Sequence, residues 1–181
     1  RIVGCAKRNH PGDWMGEQRC RPGGDGAETF QITKPERDAF VKRAWRVPKF
    51  IDIPSRDGKQ IKSKIYLPAG FDAKKKYPMV VFVHGAGYLQ NTINGWNNYY
   101  REFMFNELLT QRGYVVLDID YRGSAGYGRY WRTDVYDFLG GKAYHAEIDG
   151  NGVMLRYFAM TTQQSGVYGG SYGRFLTRRP A

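Results

Sequence analysis

The sequence predicts an α/β fold in which a hairpin leads into a mostly parallel sheet with flanking helices. Two short strand patterns on either side of Asp57-Gly58 predict the hairpin. The continuous apolar runs Met79–Val83 and Tyr114–Asp120 are typical of strands covered on both faces. A helical pattern lies between those two runs, and strand, helix, strand of these lengths indicates a parallel crossover.

The elements follow in chain order. Residues 1–32 are rich in Gly, Pro, Arg and Asp without a periodic apolar pattern, so we expect an irregular or disordered segment there, and an ordered but partial α/β domain over residues 33–181. A short helix is expected over Lys34–Arg43. The hairpin strands are Phe50–Ile53 and Ile61–Leu67, and the second alternates with period two.

The helix of the crossover is expected to begin at a cap on Asn97 or Asn98 and to end near Arg112, before Gly113. Its spacing predicts a buried apolar stripe formed by Tyr100, Phe103, Met104 and Leu108. One or two further helices are expected between Trp131 and Phe158. A last strand at Val167-Tyr168 then leads into a glycine-rich turn.

Composition excludes several classes of function. The 181 residues suit one domain or a piece of a larger protein, and 28 basic against 17 acidic residues give a net charge of +11. The charge excess is spread along the chain, and its densest run, Lys74–Lys76, is typical of a solvated turn. No basic recognition helix is present, so we do not expect nucleic-acid binding.

Cofactors and membrane spans are not expected either. Cys5, Cys20 and His10 lack the paired spacing of a zinc site, so no metal or other cofactor is predicted. The longest apolar run, Met79–Val83, is far too short to span a bilayer. The chain starts at Arg1 without an apolar signal region, which leaves the cellular compartment open.

The segment Gly169-Gly170-Ser171-Tyr172-Gly173 fits the pattern G-x-S-x-G and follows a predicted strand. In an α/β-hydrolase this pattern forms a sharp strand-to-helix turn that lifts the serine hydroxyl above the sheet. We therefore predict Ser171 as a nucleophile and the backbone N–H of Tyr172 as a donor to a developing oxyanion.

A second motif, His84-Gly85-Ala86-Gly87, directly follows the strand Met79–Val83. The loop after that strand supplies the other oxyanion donor in α/β-hydrolases, so backbone N–H groups at Gly85 or Ala86 are predicted for this role. His84 is expected either to contribute to the oxyanion site or to have a structural role. It is not expected to be the base, because the histidine of this fold follows the serine in the chain.

Other ionisable residues are candidates by type only. His145 is expected on a solvated helix surface, and Asp118 and Asp149 have no assigned role. Asp120-Tyr121-Arg122 is expected to form a polar cluster that holds the glycine loop, with substrate contact as the alternative.

Three runs together resemble the catalytic domain of the prolyl oligopeptidase family, and in particular its dipeptidyl peptidase IV-like branch. They are the glycine loop with its continuation to Asn91, the run Asp118–Gly128 with its D-Y-R-G-S-x-G-Y-G pattern, and the turn at Ser171. The resemblance covers residues 45–177. It departs at Arg174, where the family usually has glycine.

The resemblance implies a serine peptidase that cleaves peptide substrates through an acyl-enzyme, with a β-propeller elsewhere in the parent protein. It also implies a triad Asp and His that follow the serine. Residues 174–181 contain neither, so this chain is expected to lack the remainder of the catalytic domain and to be inactive alone. An esterase of the same fold and a non-catalytic basic binding module are the alternatives.

Overall fold

The computed structural model describes residues 19–20, 30–31, 45–85, 89–94, 99–136, 139–157 and 160–178. The chain divides into two compact units, one of residues 1–45 with 93–100 and one of residues 46–92 with 101–181. In the first unit, β1 (Arg19–Cys20) pairs antiparallel with β2 (Phe30–Gln31). The helix predicted over Lys34–Arg43 lies outside the described residues.

The second unit contains a five-stranded sheet with the strand order β3-β4-β6-β5-β7. Its strands are β3 (Lys49–Pro54), β4 (Gln60–Tyr66), β5 (Tyr77–Val83), β6 (Val115–Ile119) and β7 (Met160–Gly169). The β3–β4 and β4–β6 pairs are antiparallel, whereas β5 pairs in parallel with both β6 and β7. The predicted hairpin and parallel crossover are both confirmed.

The hairpin turn closes where the Asp57-Gly58 signal predicted it. The Ser55 N–H donates to the Lys59 carbonyl at 2.8 Å, and Gly58 has φ of +77°, which favours glycine. Beyond the turn, the Asp149 carboxylate accepts the Ser55 hydroxyl at 3.0 Å and the Arg56 N–H at 2.9 Å. These bonds tie the hairpin to the helix that carries Asp149.

Four helices accompany the sheet in the described part of the chain: α1 (Tyr100–Gln111), α2 (Arg129–Thr133), α3 (Lys142–Tyr157) and α4 (Tyr172–Thr177). The helical region predicted between Trp131 and Phe158 is thus two helices, α2 and α3, and the first begins at Arg129. The last strand, β7, has ten residues and is much longer than the predicted Val167-Tyr168. The sequence pattern predicted only the end of β7; its pairing with β5 includes Met160 and, after a register shift, runs from Ser165 to Gly169.

One face of the sheet is apolar and carries the core. Buried apolar side chains of β4, β5 and β6 pack there against α3 and α4. The strands contribute Ile61, Ile65, Met79, Val81, Val83, Val115, Leu117 and Ile119, and the helices contribute Ala143, Ala146 and Leu176. Gly150 allows α3 to approach closely, since a Cβ there would lie 2.5 Å from Ile119 Cδ1. Helices α3 and α4 therefore cover the apolar face.

The other face of the sheet carries the buried charged residues Lys64 and Asp118 among aromatic and aliphatic side chains, and it corrects the predicted stripe of α1. Of the four residues of that stripe only Phe103 is buried, while Tyr100, Met104 and Leu108 are exposed. The buried face of α1 consists instead of Phe103, Asn106, Glu107 and Thr110. The prediction was wrong because α1 lies against strands that present Tyr66, Tyr168 and other polar groups, with the Tyr168 hydroxyl donating to Asn106 Oδ1 at 2.5 Å. Among the described residues, no helix has the length and apolar character needed to cross a membrane.

Candidate active site

Ser171 occupies a sharp turn between β7, which ends at Gly169, and α4, which begins at Tyr172. Its backbone has φ of +54° and ψ of −122°, and within the described residues it is the one non-glycine residue with positive φ. Such a conformation costs on the order of 1–3 kcal/mol for a side-chain-bearing residue. The Ser171 side chain is exposed, so the turn presents its hydroxyl to solvent.

Two glycines let this turn pass beside the end of β5. A Cβ on Gly169 would lie 2.4 Å from the Val83 carbonyl oxygen, and a Cβ on Gly173 would lie 2.1 Å from the same atom and 2.9 Å from the His84 carbonyl oxygen. No side chain fits at those separations. The turn at Ser171 and the start of the glycine loop are therefore neighbours, as the two motifs predicted.

Tyr172 is held on several sides. As the first residue of α4 it has a backbone N–H without a partner inside the helix. Its ring lies 5.9 Å from the ring of Tyr121 and 5.7 Å from that of Phe175, and its hydroxyl accepts the Gly140 N–H at 2.7 Å. The packed ring fixes the orientation of the residue whose N–H was predicted to face the oxyanion.

His84 is buried and its ring is engaged by the protein. Nδ1 lies 2.7 Å from the Gly85 carbonyl oxygen, and Nε2 lies 3.0 Å from Ser124 Oγ and 3.3 Å from Asp120 Oδ1. The ring also stacks on Tyr121, with centroids 4.4 Å apart. The side chain is thus directed into the protein, while the backbone of Val83 and His84 lies next to the turn. Ala86 lies outside the described residues, and its predicted role as a donor stays a prediction.

Asp120 organises the chain that follows the glycine loop. Its carboxylate accepts the N–H of Asn91 at 2.9 Å, the N–H of Thr92 at 2.8 Å and the hydroxyl of Tyr127 at 2.6 Å. Burial alone would raise the pKa of Asp120, but the hydrogen bond with His84 and the further donors outweigh it, and the pKa is lowered. Asp120 is therefore an ionised acceptor at neutral pH.

Tyr121 and Arg122 have different tasks. The Tyr121 hydroxyl donates to the His84 carbonyl at 2.9 Å, so this residue does contact the glycine loop. Arg122 instead pairs with Asp57 in the hairpin turn and with Asp134 at 2.7 Å, and its guanidinium lies 4.3 Å from the ring of Trp131. The expected cluster around the loop therefore consists of Asp120 and Tyr121, whereas Arg122 joins the hairpin turn to α2.

The remaining candidate residues belong to the scaffold. Asp118 lies on the same face of the sheet as Lys64, whose Nζ is 3.3 Å from Asp118 Oδ2. Asp149 pairs with Arg56 at 2.8 Å, and His145 is half-buried on α3. The alternating pattern of β4 predicts which face of the strand Lys64 lies on. It does not predict that α1, with polar residues on its buried side, would cover that face.

Comparison with known proteins agrees with this geometry. The family described as Prolyl oligopeptidase family matches residues 101–179, and one described as BD-FAE matches residues 64–137. The chain is 30% identical over 154 residues, 84% of its length, to the uncharacterized peptidase YuxL of Bacillus subtilis, and covers 22% of that protein. It is 31% identical over 138 residues, 72% of its length, to dipeptidyl aminopeptidase BIII of Pseudoxanthomonas mexicana, and covers 19% of it.

A solved structure shares the fold. The crystal structure of Porphyromonas gingivalis dipeptidyl peptidase 4 superimposes with a TM-score of 0.70 over 81% of this chain and 20% of that chain, at 22% identity. The present chain therefore spans about a fifth of the length of the relatives that it matches. The sheet order, the turn at Ser171 and the adjoining glycine loop correspond to a partial α/β-hydrolase fold, and the chain belongs to the prolyl oligopeptidase family of serine peptidases.

Proposed function

We propose that this chain supplies the nucleophile and the oxyanion donors of a serine peptidase. One observation carries the proposal: a strained turn presents the exposed Ser171 hydroxyl next to the backbone of the glycine loop. A scaffold tolerates such strain where it serves chemistry. In the proposed reaction, Ser171 Oγ attacks the carbonyl carbon of a peptide bond and the carbonyl oxygen becomes an oxyanion.

The oxyanion would be stabilised by backbone donors on both sides of the serine. Those donors are the N–H of Tyr172 and one from Gly85 or Ala86, because such groups are worth most where charge develops in the transition state. Collapse of the tetrahedral intermediate expels the amine and leaves an acyl group on Ser171. Attack by water then releases the acid and restores the serine.

The reaction also requires a base, and a serine hydroxyl without one is a weak nucleophile at neutral pH. His84 is unsuited to that role because its ring is buried and both of its nitrogens face groups of the scaffold. The base and its acid partner would therefore come from a part of the full-length protein outside this chain. We expect the chain alone to hydrolyse little or no substrate.

Short peptides are the proposed substrates. Matched relatives are named as dipeptidyl peptidases, and a solved structure that covers 84% of this chain at 25% identity is an acylaminoacyl peptidase in complex with Z-Gly-Gly-Phe-chloromethyl ketone. We further propose that the full-length protein adds the rest of the catalytic domain and a β-propeller, by analogy with the family. The proposed partner is thus a peptide, with restricted access to the site.

The test compares hydrolysis by the full-length protein and by its Ser171→Ala variant. A proline-containing chromogenic dipeptide and a matched acyl ester are the two substrates. We expect Ser171→Ala to lower peptide turnover at least about a thousandfold, as the loss of a triad member does. Turnover that survives the substitution would contradict the proposal, and hydrolysis of the ester alone would favour an esterase of the same fold.

A further inference from the structure

We propose that an open pocket beside the hairpin of β3 and β4 binds a small monocarboxylate with an apolar body. The pocket has a volume of about 340 Å³, and its lining residues lie between Arg46 and Phe71, all in the second unit. Sites for small molecules usually have volumes of about 300–1,000 Å³, so a compact ligand fits. Binding here would be a property of the protein separate from the proposed peptidase function.

Most of the pocket wall is apolar. Of the seven described residues that line it, five are apolar, among them Ile65, Leu67 and Phe71. Ile65 belongs to the buried core, and Leu67 and Phe71 pack against that core. The Phe71 ring also contacts the ring of Tyr77, with centroids 4.9 Å apart. A ligand therefore meets a fixed apolar surface, against which a hydrocarbon body is stabilised by leaving water.

The two other lining residues, Arg46 and Lys49, are cationic. Lys49 is opposite Ile65 in the antiparallel register of β3 and β4, so its charge lies beside the apolar wall. Arg46 is half-buried, and its Nη1 is buried without a hydrogen-bond acceptor among the described residues. A guanidinium can only donate, so the protein interior supplies no acceptor for this side of the charged group. An anion in the pocket would supply the counter-charge.

The lining favours an anion over a cation. None of the described residues that line the pocket is acidic. Asp72 follows Phe71 in the chain, but its carboxylate accepts the Lys74 N–H at 2.9 Å within the same turn. A carboxylate offers the two planar acceptor atoms that a guanidinium binds well, and it costs less to remove from water than a doubly charged phosphate. A monocarboxylate with an apolar body therefore matches both parts of the wall.

The pocket and the turn at Ser171 lie at opposite edges of the sheet. Tyr66 of β4 is opposite Val116 near the start of β6, so Leu67 lies at that edge. The turn lies beside Val83 at the end of β5, which runs parallel to β6. A ligand in the pocket would therefore not contact Ser171.

The experiment titrates octanoate into the full-length protein by isothermal titration calorimetry. N-acetylphenylalanine carries the carboxylate of a peptide end and is the second probe, so the tighter of the two shows whether the ligand chemistry is that of a lipid or of a peptide. 1-Octanol and octylammonium have the same tail without the negative charge. We expect octanoate to bind at least about tenfold more tightly than either, because only a carboxylate pairs with the two cations.

Two variants test the cations. Arg46→Gln removes one charge, and Lys49→Glu reverses the other at an exposed position where folding should be unaffected. Each should weaken octanoate binding at least about tenfold and leave 1-octanol binding unchanged. Lys59→Gln is the matched control, because this lysine is exposed in the hairpin turn and does not line the pocket. Its affinity for octanoate should equal that of the wild type.

Octanoate binding that is unchanged in both Arg46→Gln and Lys49→Glu would overturn the proposal, because the ligand would then lie elsewhere, for example beside Ser171. Binding of 1-octanol as tight as that of octanoate would overturn it as well, since charge would then play no part. If neither carboxylate binds the full-length protein, the pocket is not a site for this ligand class. Hydrolysis that persists in Ser171→Ala would contradict the proposed peptidase function alone and would leave this site standing.

Discussion

At the scale of single residues, two glycines decide whether Ser171, the proposed nucleophile, can occupy its turn. Gly169 and Gly173 both face the Val83 carbonyl at distances that no Cβ can occupy, while a Cβ on Gly170 would meet nothing within 4 Å. The three glycines of one motif are therefore not equivalent. Close approach of backbone to backbone explains the outer two, and the middle one carries no steric requirement.

This difference predicts the effect of alanine in the turn. Gly173→Ala should lower the free energy of unfolding by about 1–3 kcal/mol, because the rigid Val83 and His84 carbonyls must move away from the new methyl group. Gly170→Ala is the matched control and should change it little. Urea denaturation of both variants gives the measurement. Equal stability in the two variants would mean that the packing of the turn against β5 is looser than described.

The residue scale also shows what the sequence could predict of the site. The sharp turn at Ser171 was predictable because its motif is local, with all of its residues within five positions of the chain. The partners of the His84 ring are Asp120, Tyr121 and Ser124, about forty residues later, and only the pairing of β5 with β6 brings them together. Because His84 precedes Ser171 in the chain, it was not predicted to be the base. The sequence could not decide whether it contributes to the oxyanion site or has a structural role.

At the scale of elements, the central strands β4 and β6 are joined by a buried ion pair. Lys64 and Asp118 are opposite each other in the antiparallel register and are 0% and 1% exposed as side chains. Asn91 Nδ2 also donates to Asp118 at 2.5 Å. Burial raises the pKa of Asp118, and the positive charge of Lys64 opposes that rise. Each residue of the pair offsets the cost of burying the charge of the other.

Lys64→Met should destabilise the fold by about 3–5 kcal/mol at pH 7, because it leaves a buried carboxylate without its counter-charge. The loss should shrink as the pH falls toward 5. A carboxyl whose pKa is higher in the folded than in the unfolded state binds protons preferentially when folded, so acid stabilises it. Denaturation of the variant at both pH values provides the measurement.

Lys62→Met is the control for that experiment. Lys62 lies on the same strand and pairs with Asp52, but both side chains are nearly half exposed, and surface pairs contribute little. We expect a small effect at either pH. A Lys64→Met variant as stable as this control would contradict the prediction that the buried Asp118 carboxylate depends on the counter-charge of Lys64.

The same buried pair explains why the sequence misjudged α1. Periodicity assigns apolar residues to the inside, and Met104 and Leu108 fit that rule as well as Phe103 does. The helix instead turns Asn106, Glu107 and Thr110 toward a sheet face that carries Lys64 and Asp118. The pattern of a helix alone therefore cannot predict its buried face when the strands beneath it carry charged side chains.

At the scale of the whole molecule, α1 and the last strand leave apolar groups uncovered. Met104, Phe105 and Leu108 on α1 and Val167 on β7 are between 37% and 53% exposed. Strand β7 pairs with β5 and is the last strand in the sheet order among the described residues. An open strand edge beside exposed apolar side chains is prone to association.

We therefore expect the 181-residue chain to associate as its concentration rises. The double substitution Met104→Lys and Leu108→Lys should reduce association, because two charges interrupt the apolar surface of α1. Tyr130→Lys is the control, since that side chain is 89% exposed on α2 and should not contribute. Sedimentation velocity measures the effect, and equal association in the control and the double variant would contradict this origin.

The turn at Ser171 has a consequence for durability. At φ of +54°, Ser171 has a backbone conformation that is strained for a residue with a Cβ, and glycine would remove most of that strain. The protein therefore gives up part of its thermal stability at the position of the proposed nucleophile. Replacing Ser171 by glycine should raise the stability of the domain, because glycine adopts this backbone conformation without strain. The same replacement removes the hydroxyl, so stability and the proposed activity conflict at this position.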